Sequence, residues 1–114
     1  MTEQREKNRT VLVVDDTPEN VSLLEAMLSP EYAVRIATKG SEALQIARET
    51  PPDLILLDIM MPDMNGYDVC IALKADAATK RIPVIFVTAL LNPGDETRGF
   101  EAGCVDFLTK PVIS

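Results

Sequence analysis

The chain has 114 residues, 46% of them hydrophobic and 25% charged, and this length fits one compact domain but not two. Eighteen acidic residues against eleven basic ones give a formal net charge of −7, which argues against direct binding to nucleic acid. The sequence contains no histidine, and this excludes Ser-His-Asp and Cys-His catalysis. No apolar run approaches the ~20 residues that cross a bilayer, so we expect neither a membrane span nor a secretory signal.

Short apolar runs alternate with helical patterns after a polar arm of residues 1–10. This alternation is typical of βα units around a parallel sheet. The predicted strands are Val11–Val14, Tyr32–Ala37, Leu54–Leu57, Pro83–Val87 and Val105–Leu108. The predicted helices run from Pro18, with Thr17 as its cap, up to Ser29-Pro30, and over Ser41–Glu49, Tyr67–Lys74 and Asp95–Ala102, with Gly103 as a left-handed stop. The fold class is therefore α/β, a doubly wound five-stranded parallel sheet filling residues 11–114.

The two cysteines, Cys70 and Cys104, lie in apolar stretches and lack a CxxC spacing. Free cysteine is among the most buried residue types, so both are predicted to be small buried hydrophobic side chains. Their reduced state indicates a cytoplasmic location.

Polar residues follow several predicted strands at the point where each strand ends. They are Asp15, Asp16, Asp58, Thr88 and Lys110. The carboxyl ends of parallel strands meet at one edge of the sheet, and ligands bind at that edge. Taken singly, Asp15-Asp16 could be a helix cap, Thr88 a β-branched strand residue and Lys110 a surface charge. Their joint position predicts one shared cleft.

Three converging carboxylates repel one another unless a cation lies among them, and all-oxygen ligands at an open edge favour Mg²⁺. A metal ion, an ammonium group and a hydroxyl around a carboxylate suit phosphoryl transfer, in which Asp58 itself could be the acceptor. Asp53, at the opposite edge, is predicted to be structural, and Asp63, Asp68, Asp76, Asp95 and Asp106 to be solvated charges or caps.

Five segments in this order resemble a response-regulator receiver domain of two-component signalling. They are residues 11–16, residues 54–62, Asn65-Gly66, residues 84–89 and residues 105–111. The resemblance implies a flavodoxin-like sheet of order 2-1-3-4-5, as is general for such receivers. It also implies a bacterial regulatory protein, not an enzyme, that acts on an attached or partner effector.

The same resemblance assigns roles to single residues. Asp58 would take a phosphoryl group from a histidine kinase or phosphotransfer protein. Asp16 would bind Mg²⁺ directly, Asp15 through water, and Met60 through its backbone carbonyl. Thr88 would bind the phosphoryl oxygen, Lys110 would pair with it, and Phe107, in place of the usual tyrosine, would be the switch aromatic.

Two other classes share parts of this pattern. A flavodoxin-like cofactor binder would have the same fold, but Asp15-Asp16 would repel a flavin phosphate. A Mg²⁺-dependent phosphatase with an aspartyl nucleophile would need a second aspartate where Met60 stands. A receiver that has lost phosphorylation and serves only in protein interaction is the third alternative, and the complete set of site residues argues against it.

The family's closing fifth helix is missing, because Val112-Ile113-Ser114 is too short to form it. Four helices leave part of the sheet uncovered, so we expect a truncated chain that buries its exposed apolar face by rearrangement or as a homodimer.

Overall fold

The computed structural model of the protein describes residues 9–88 and 93–109, apart from the side chains of Pro93, Asp95 and Glu96. Strands and helices alternate along these residues. The elements are β1 Thr10–Val14, α1 Pro18–Leu28, β2 Ala33–Ala37, α2 Gly40–Glu49, β3 Leu54–Leu57, α3 Gly66–Ala75, β4 Val84–Thr88, α4 Pro93–Ala102 and β5 Asp106–Thr109.

All five strands are parallel and follow the order β2-β1-β3-β4-β5. β1 lies between β2 and β3, and its last residue, Val14, pairs with Ala37 on one side and Leu57 on the other. The predicted doubly wound α/β fold with sheet order 2-1-3-4-5 is confirmed. The direction in which the chain adds strands to the sheet reverses between β1 and β3, and open sheets of this kind bind ligands at that point.

Each face of the sheet has its own buried cluster. The larger one packs under α2, α3 and α4 and contains Leu12, Ile55 and Phe86, all fully buried. The smaller one lies on the face of α1 and joins Leu24 to Val11 and Val13. β1 and β3 contribute to both clusters, which explains why these strands are continuous apolar runs and not alternating ones.

Strand and helix ends depart from the prediction in a few places. β4 and β5 each begin one residue later than predicted, at Val84 and Asp106. Thr17 occupies the predicted cap position of α1, with Pro18 at the start of the helix, but its side chain makes no capping hydrogen bond. Its backbone N–H instead donates to Asp15 Oδ1 at 2.9 Å, which closes a tight turn. Gly103 has a φ of 113° and ends α4 as predicted.

The described residues contain four helices, as the sequence predicts. The prediction that the fifth helix is missing concerns the end of the chain, and residues 110–114 lie outside the described part. None of the described helices is long and apolar enough to cross a bilayer. Cys70 and Cys104 are both buried and unpaired, in agreement with their predicted role.

Candidate functional site

Three carboxylates meet at the carboxyl edge of the sheet. Asp15 and Asp16 follow β1, and Asp58 follows the neighbouring strand β3. One carboxylate oxygen from each lies within 4.8 Å of those of the other two. The structure thus brings together all three acidic residues that the sequence placed in one cleft.

The backbone of the cluster is held by extensions of the sheet. Asp15 N–H donates to Ala37 O at 3.0 Å, and Asp58 N–H donates to Val14 O at 2.9 Å. The Asp58 carboxylate accepts a hydrogen bond through Oδ1 from Ile59 N–H at 2.8 Å. Asp58 and Asp15 are 6% and 2% exposed, whereas Asp16 is exposed to solvent. The cluster therefore has two buried carboxylates and one that faces solvent.

The donor set suits a divalent cation. Two buried carboxylates and one exposed carboxylate at this spacing repel one another, and a cation among them offsets that repulsion. Carboxylate oxygens are ligands that hard cations such as Mg²⁺ and Mn²⁺ accept, and an exposed third ligand leaves room for water. The residues present therefore fit a divalent metal ion.

Thr88 is the last residue of β4 and is buried, with 4% of its surface exposed. β4 lies next to β3, and the register pairs Leu57 with Phe86. Thr88, which ends β4, and Asp58, which follows β3, therefore lie at the same edge of the sheet. Thr88 thus lies at the predicted edge of the sheet. Lys110, the remaining predicted member of the cleft, lies outside the described residues.

Phe107 lies in β5 and is half-buried. Its ring centroid is 5.4 Å from that of Phe86 and 5.4 Å from that of Phe100 on α4. Phe86 in turn lies 5.4 Å from Tyr67 on α3. Aromatic side chains thus form a continuous row from β5 to α3, and Phe107 packs at the inner side of β5.

Gly66 is a residue whose packing against the site the sequence did not reveal. Its N–H donates to Ile59 O at 2.8 Å, which closes the loop after Asp58. A Cβ at Gly66 would overlap the carbonyl oxygen of Asp58 and lie 3.0 Å from the Phe86 ring. Only a residue without a side chain lets α3 begin this close to the phosphoacceptor candidate.

Asp63 was predicted to be a solvated charge or a cap, and the structure makes it a cap of a distant helix. It accepts hydrogen bonds from Gly40 and Ser41, the first two residues of α2, although 23 and 22 positions separate them in sequence. No local pattern around Asp63 signals that contact. These bonds hold the pKa of Asp63 well below its usual value, at about 2, with the Ser41 backbone bond the largest cause and the Gly40 bond next.

The fold and the acidic edge together define a receiver-type α/β domain. Comparison with known families agrees, because the model of the response regulator receiver domain matches residues 11–114. The chain belongs to this family, which functions in two-component signalling. That assignment favours a regulatory receiver over the cofactor binder and the phosphatase that the sequence left open.

Individual relatives support the same assignment. The chain is 52% identical over 103 residues to the response regulator PleD of Caulobacter vibrioides, covering 90% of this chain but only 23% of PleD. A crystal structure of a putative response regulator from Chloroflexus aurantiacus is 36% identical, with a TM-score of 0.88 over 94% of this chain and 88% of that one. The receiver domain of the histidine kinase PA1611 from Pseudomonas aeruginosa is 33% identical, with a TM-score of 0.85 over 92% and 87% of the two chains. Its structure holds a magnesium ion in the active-site cleft.

Proposed function

We propose that this receiver domain accepts a phosphoryl group on Asp58 with the help of Mg²⁺ and passes the signal on through a conformational switch. The observation that carries the proposal is the convergence of Asp15, Asp16 and Asp58 within 4.8 Å at the carboxyl edge. Asp58 alone of the three directly follows the central strand β3, next to β4 and Thr88. The magnesium ion in the related PA1611 receiver supports the choice of metal.

Each site residue has a role in this proposal. Asp16, Asp58 and the Met60 backbone carbonyl hold Mg²⁺ directly, and Asp15 holds it through water. The bound ion supplies positive charge to the oxygens of the phosphoryl group. Thr88 donates a hydrogen bond to a phosphoryl oxygen, and Lys110 pairs with another.

The transfer itself exchanges one bond for another. The donor is the phosphohistidine of a histidine kinase or phosphotransfer protein. Its P–N bond breaks as a P–O bond to an Asp58 carboxylate oxygen forms, and the electron pair of the broken bond returns to the imidazole nitrogen. The 114 residues contain no histidine, so the phosphohistidine lies outside this domain.

The switch joins Thr88 to Phe107. Both lie at the β4–β5 side of the sheet, where Thr88 pairs with Thr109, two residues beyond Phe107. A phosphoryl group that draws the Thr88 hydroxyl toward Asp58 changes the space beside β5, and Phe107 follows. The altered surface is then read by an effector, either attached or separate.

The direct test is intact-mass analysis after incubation with acetyl phosphate and Mg²⁺. We expect the mass of one phosphoryl group on the wild-type chain and none on Asp58→Asn. Asp53→Asn is the matched control, because Asp53 lies at the amino edge and accepts Thr10 N–H at 2.7 Å. It should be phosphorylated like the wild type. Phosphorylation that survives Asp58→Asn would exclude Asp58 as the acceptor.

A further inference from the structure

The loop between β3 and α3 carries the proposed metal ligand Met60. Asp63, in the same loop, joins it to the start of helix α2 through hydrogen bonds. Its Oδ1 accepts hydrogen bonds from Gly40 N–H at 2.8 Å and from Met64 N–H at 2.9 Å. Its Oδ2 accepts from Ser41 N–H at 3.0 Å and from the Ser41 hydroxyl at 2.9 Å. Both oxygens are thus used twice.

Helix α2 depends on this carboxylate at its amino end. The residue at its N-cap position, Lys39, makes no side-chain capping hydrogen bond. The first N–H groups of a helix lack partners within the helix, and a carboxylate close to them also interacts favourably with the helix dipole. Asp63 therefore acts as the N-cap of α2 from another loop, which ties the two loops together.

Close packing at the same place makes the contact specific. A Cβ at Gly40 would lie 2.8 Å from Met64 Cβ and 2.8 Å from a methyl carbon of Val69 on α3. The first residue of α2 can approach the loop this closely only because it is glycine. The hydrogen bonds and the packing independently fix Asp63 and Met64 against α2.

Met60 lies between two fixed points. On one side, Asp58 and Ile59 are bound to the sheet edge and to Gly66. On the other side, Asp63 and Met64 are bound to α2. Residues 60–62 span the interval, and the Met60 side chain is 76% exposed, so side-chain packing contributes little to its position. A backbone carbonyl is aimed only by the loop dihedrals, and ordering them during binding costs conformational entropy.

We propose that Asp63 is a positioning residue of the phosphorylation site, which orders the β3–α3 loop so that the Met60 carbonyl faces the Asp15, Asp16 and Asp58 cluster before metal binds. The inference rests on the proposed function, because it takes Met60 as a metal ligand. Without the contact between Asp63 and α2, the loop must be ordered when the ion binds, and metal affinity falls.

The test compares two matched substitutions, Asp63→Asn and Asp76→Asn. Asp76 also accepts a backbone N–H, from Ala78 at 2.9 Å, and a side-chain N–H, from Arg48 at 3.0 Å. It lies at the far end of α3, away from the site. An asparagine cannot accept hydrogen bonds at both positions, so each substitution removes part of one carboxylate's contacts while keeping its size.

The measurements are the dissociation constant of Mn²⁺, from the electron paramagnetic resonance signal of the free ion, and the melting temperature without metal. Both variants should melt below the wild type. Asp63→Asn should raise the dissociation constant about tenfold, the lower end for loss of a residue that supports a metal ligand, whereas Asp76→Asn should leave it unchanged. At saturating metal, Asp63→Asn should be phosphorylated by acetyl phosphate at nearly the wild-type rate.

A second variant covers the case in which Asp63→Asn does not fold. Ser41→Ala removes one of the four hydrogen bonds to Asp63 and should raise the dissociation constant in the same direction by a smaller factor. Unchanged Mn²⁺ affinity in the folded variants, or an equal loss in Asp76→Asn, overturns the inference while leaving the proposed function intact. A wild-type chain that binds no Mn²⁺ overturns the metal site and the inference together.

Discussion

The carboxylates at the two edges of the sheet differ in the groups that lie next to them. At the amino edge, Asp53 accepts the N–H of Thr10, the first residue of β1, and Asp76 accepts Arg48 Nε and Ala78 N–H. The Ala78 bond first, and Arg48 second, lower the pKa of Asp76 below its usual value. Each of these carboxylates therefore has donors from the chain itself and helps to hold neighbouring elements together.

At the carboxyl edge, Asp15 and Asp58 also accept backbone N–H groups, from Thr17 and Ile59, but here the carboxylates lie next to one another. Asp15, Asp16 and Asp58 lie within 4.8 Å, and two of them are buried. Such an arrangement costs stability in the metal-free chain, because like charges in a poorly solvated place repel. Aspartate thus stabilises the fold at the amino edge, whereas the three aspartates at the carboxyl edge fit the binding of a divalent cation. Removing charge and adding bulk should have opposite effects at the carboxyl edge.

Added bulk is expected to have the largest effect. In Gly66→Ala, the new methyl group overlaps the Asp58 carbonyl oxygen and lies 2.9 Å from Ile59 Cα. Backbone atoms cannot move aside without distorting the β3 end, so we expect a loss of about 3 kcal/mol in the free energy of unfolding, measured with urea. Gly94→Ala is the control, since nothing lies within 4 Å of its new Cβ. It should be neutral or stabilising by about 0.5 kcal/mol. Equal stability of the two variants would show that α3 can shift.

Removing a negative charge from the carboxyl edge is expected to raise the stability of the metal-free chain, the opposite of the effect of added bulk. Mg²⁺ at a hundred times its dissociation constant should stabilise the wild-type chain by about 2.7 kcal/mol. Asp16→Ala should be more stable than the wild type without metal and should lose both the Mg²⁺-dependent gain and phosphorylation. Asp76→Ala, at the amino edge, should melt lower but keep the gain. Thermal melts with and without Mg²⁺ measure all three, and a melting temperature of the wild type that ignores Mg²⁺ would contradict the metal site.

The sequence predicted the carboxyl edge well because it depends on local patterns. Apolar runs buried on both faces give the strands, and a charged residue directly after such a run must lie at a sheet edge. Asp15 and Asp58 could therefore be placed together without coordinates. Strand ends were predicted less accurately, because hydrogen-bonded pairing between strands, and not composition, decides where β4 and β5 begin.

Contacts between loops could not be predicted in the same way. Asp63 contacts Gly40 and Ser41 only because the fold brings the loop after β3 close to the start of α2, which follows β2 two strands away in the sheet. Nothing in the residues around Asp63 distinguishes this carboxylate from a solvated charge. The inward packing of the Phe107 ring likewise depends on Gly99, where a Cβ would overlap the ring and which lies eight positions earlier. Three-dimensional proximity supplies both pieces of information.

The smallest expected effect is the pH dependence of the contribution of Asp63 to stability, which a solvated carboxylate would not show. The pKa of Asp63 is about 2 in the folded chain against an ordinary value of 3.8. A folded-state pKa below the unfolded one means that the ionised carboxylate stabilises the fold above pH 3.8 and loses this contribution as the pH falls toward 2. The stability difference between the wild type and Asp63→Asn should therefore shrink across this interval. Urea unfolding at several pH values measures this difference. Because Ser41→Ala removes one hydrogen bond to Asp63, it should make the pH dependence of stability smaller than in the wild type. A difference between the wild type and Asp63→Asn that stays constant with pH would show that the charge contributes nothing to the contact with α2.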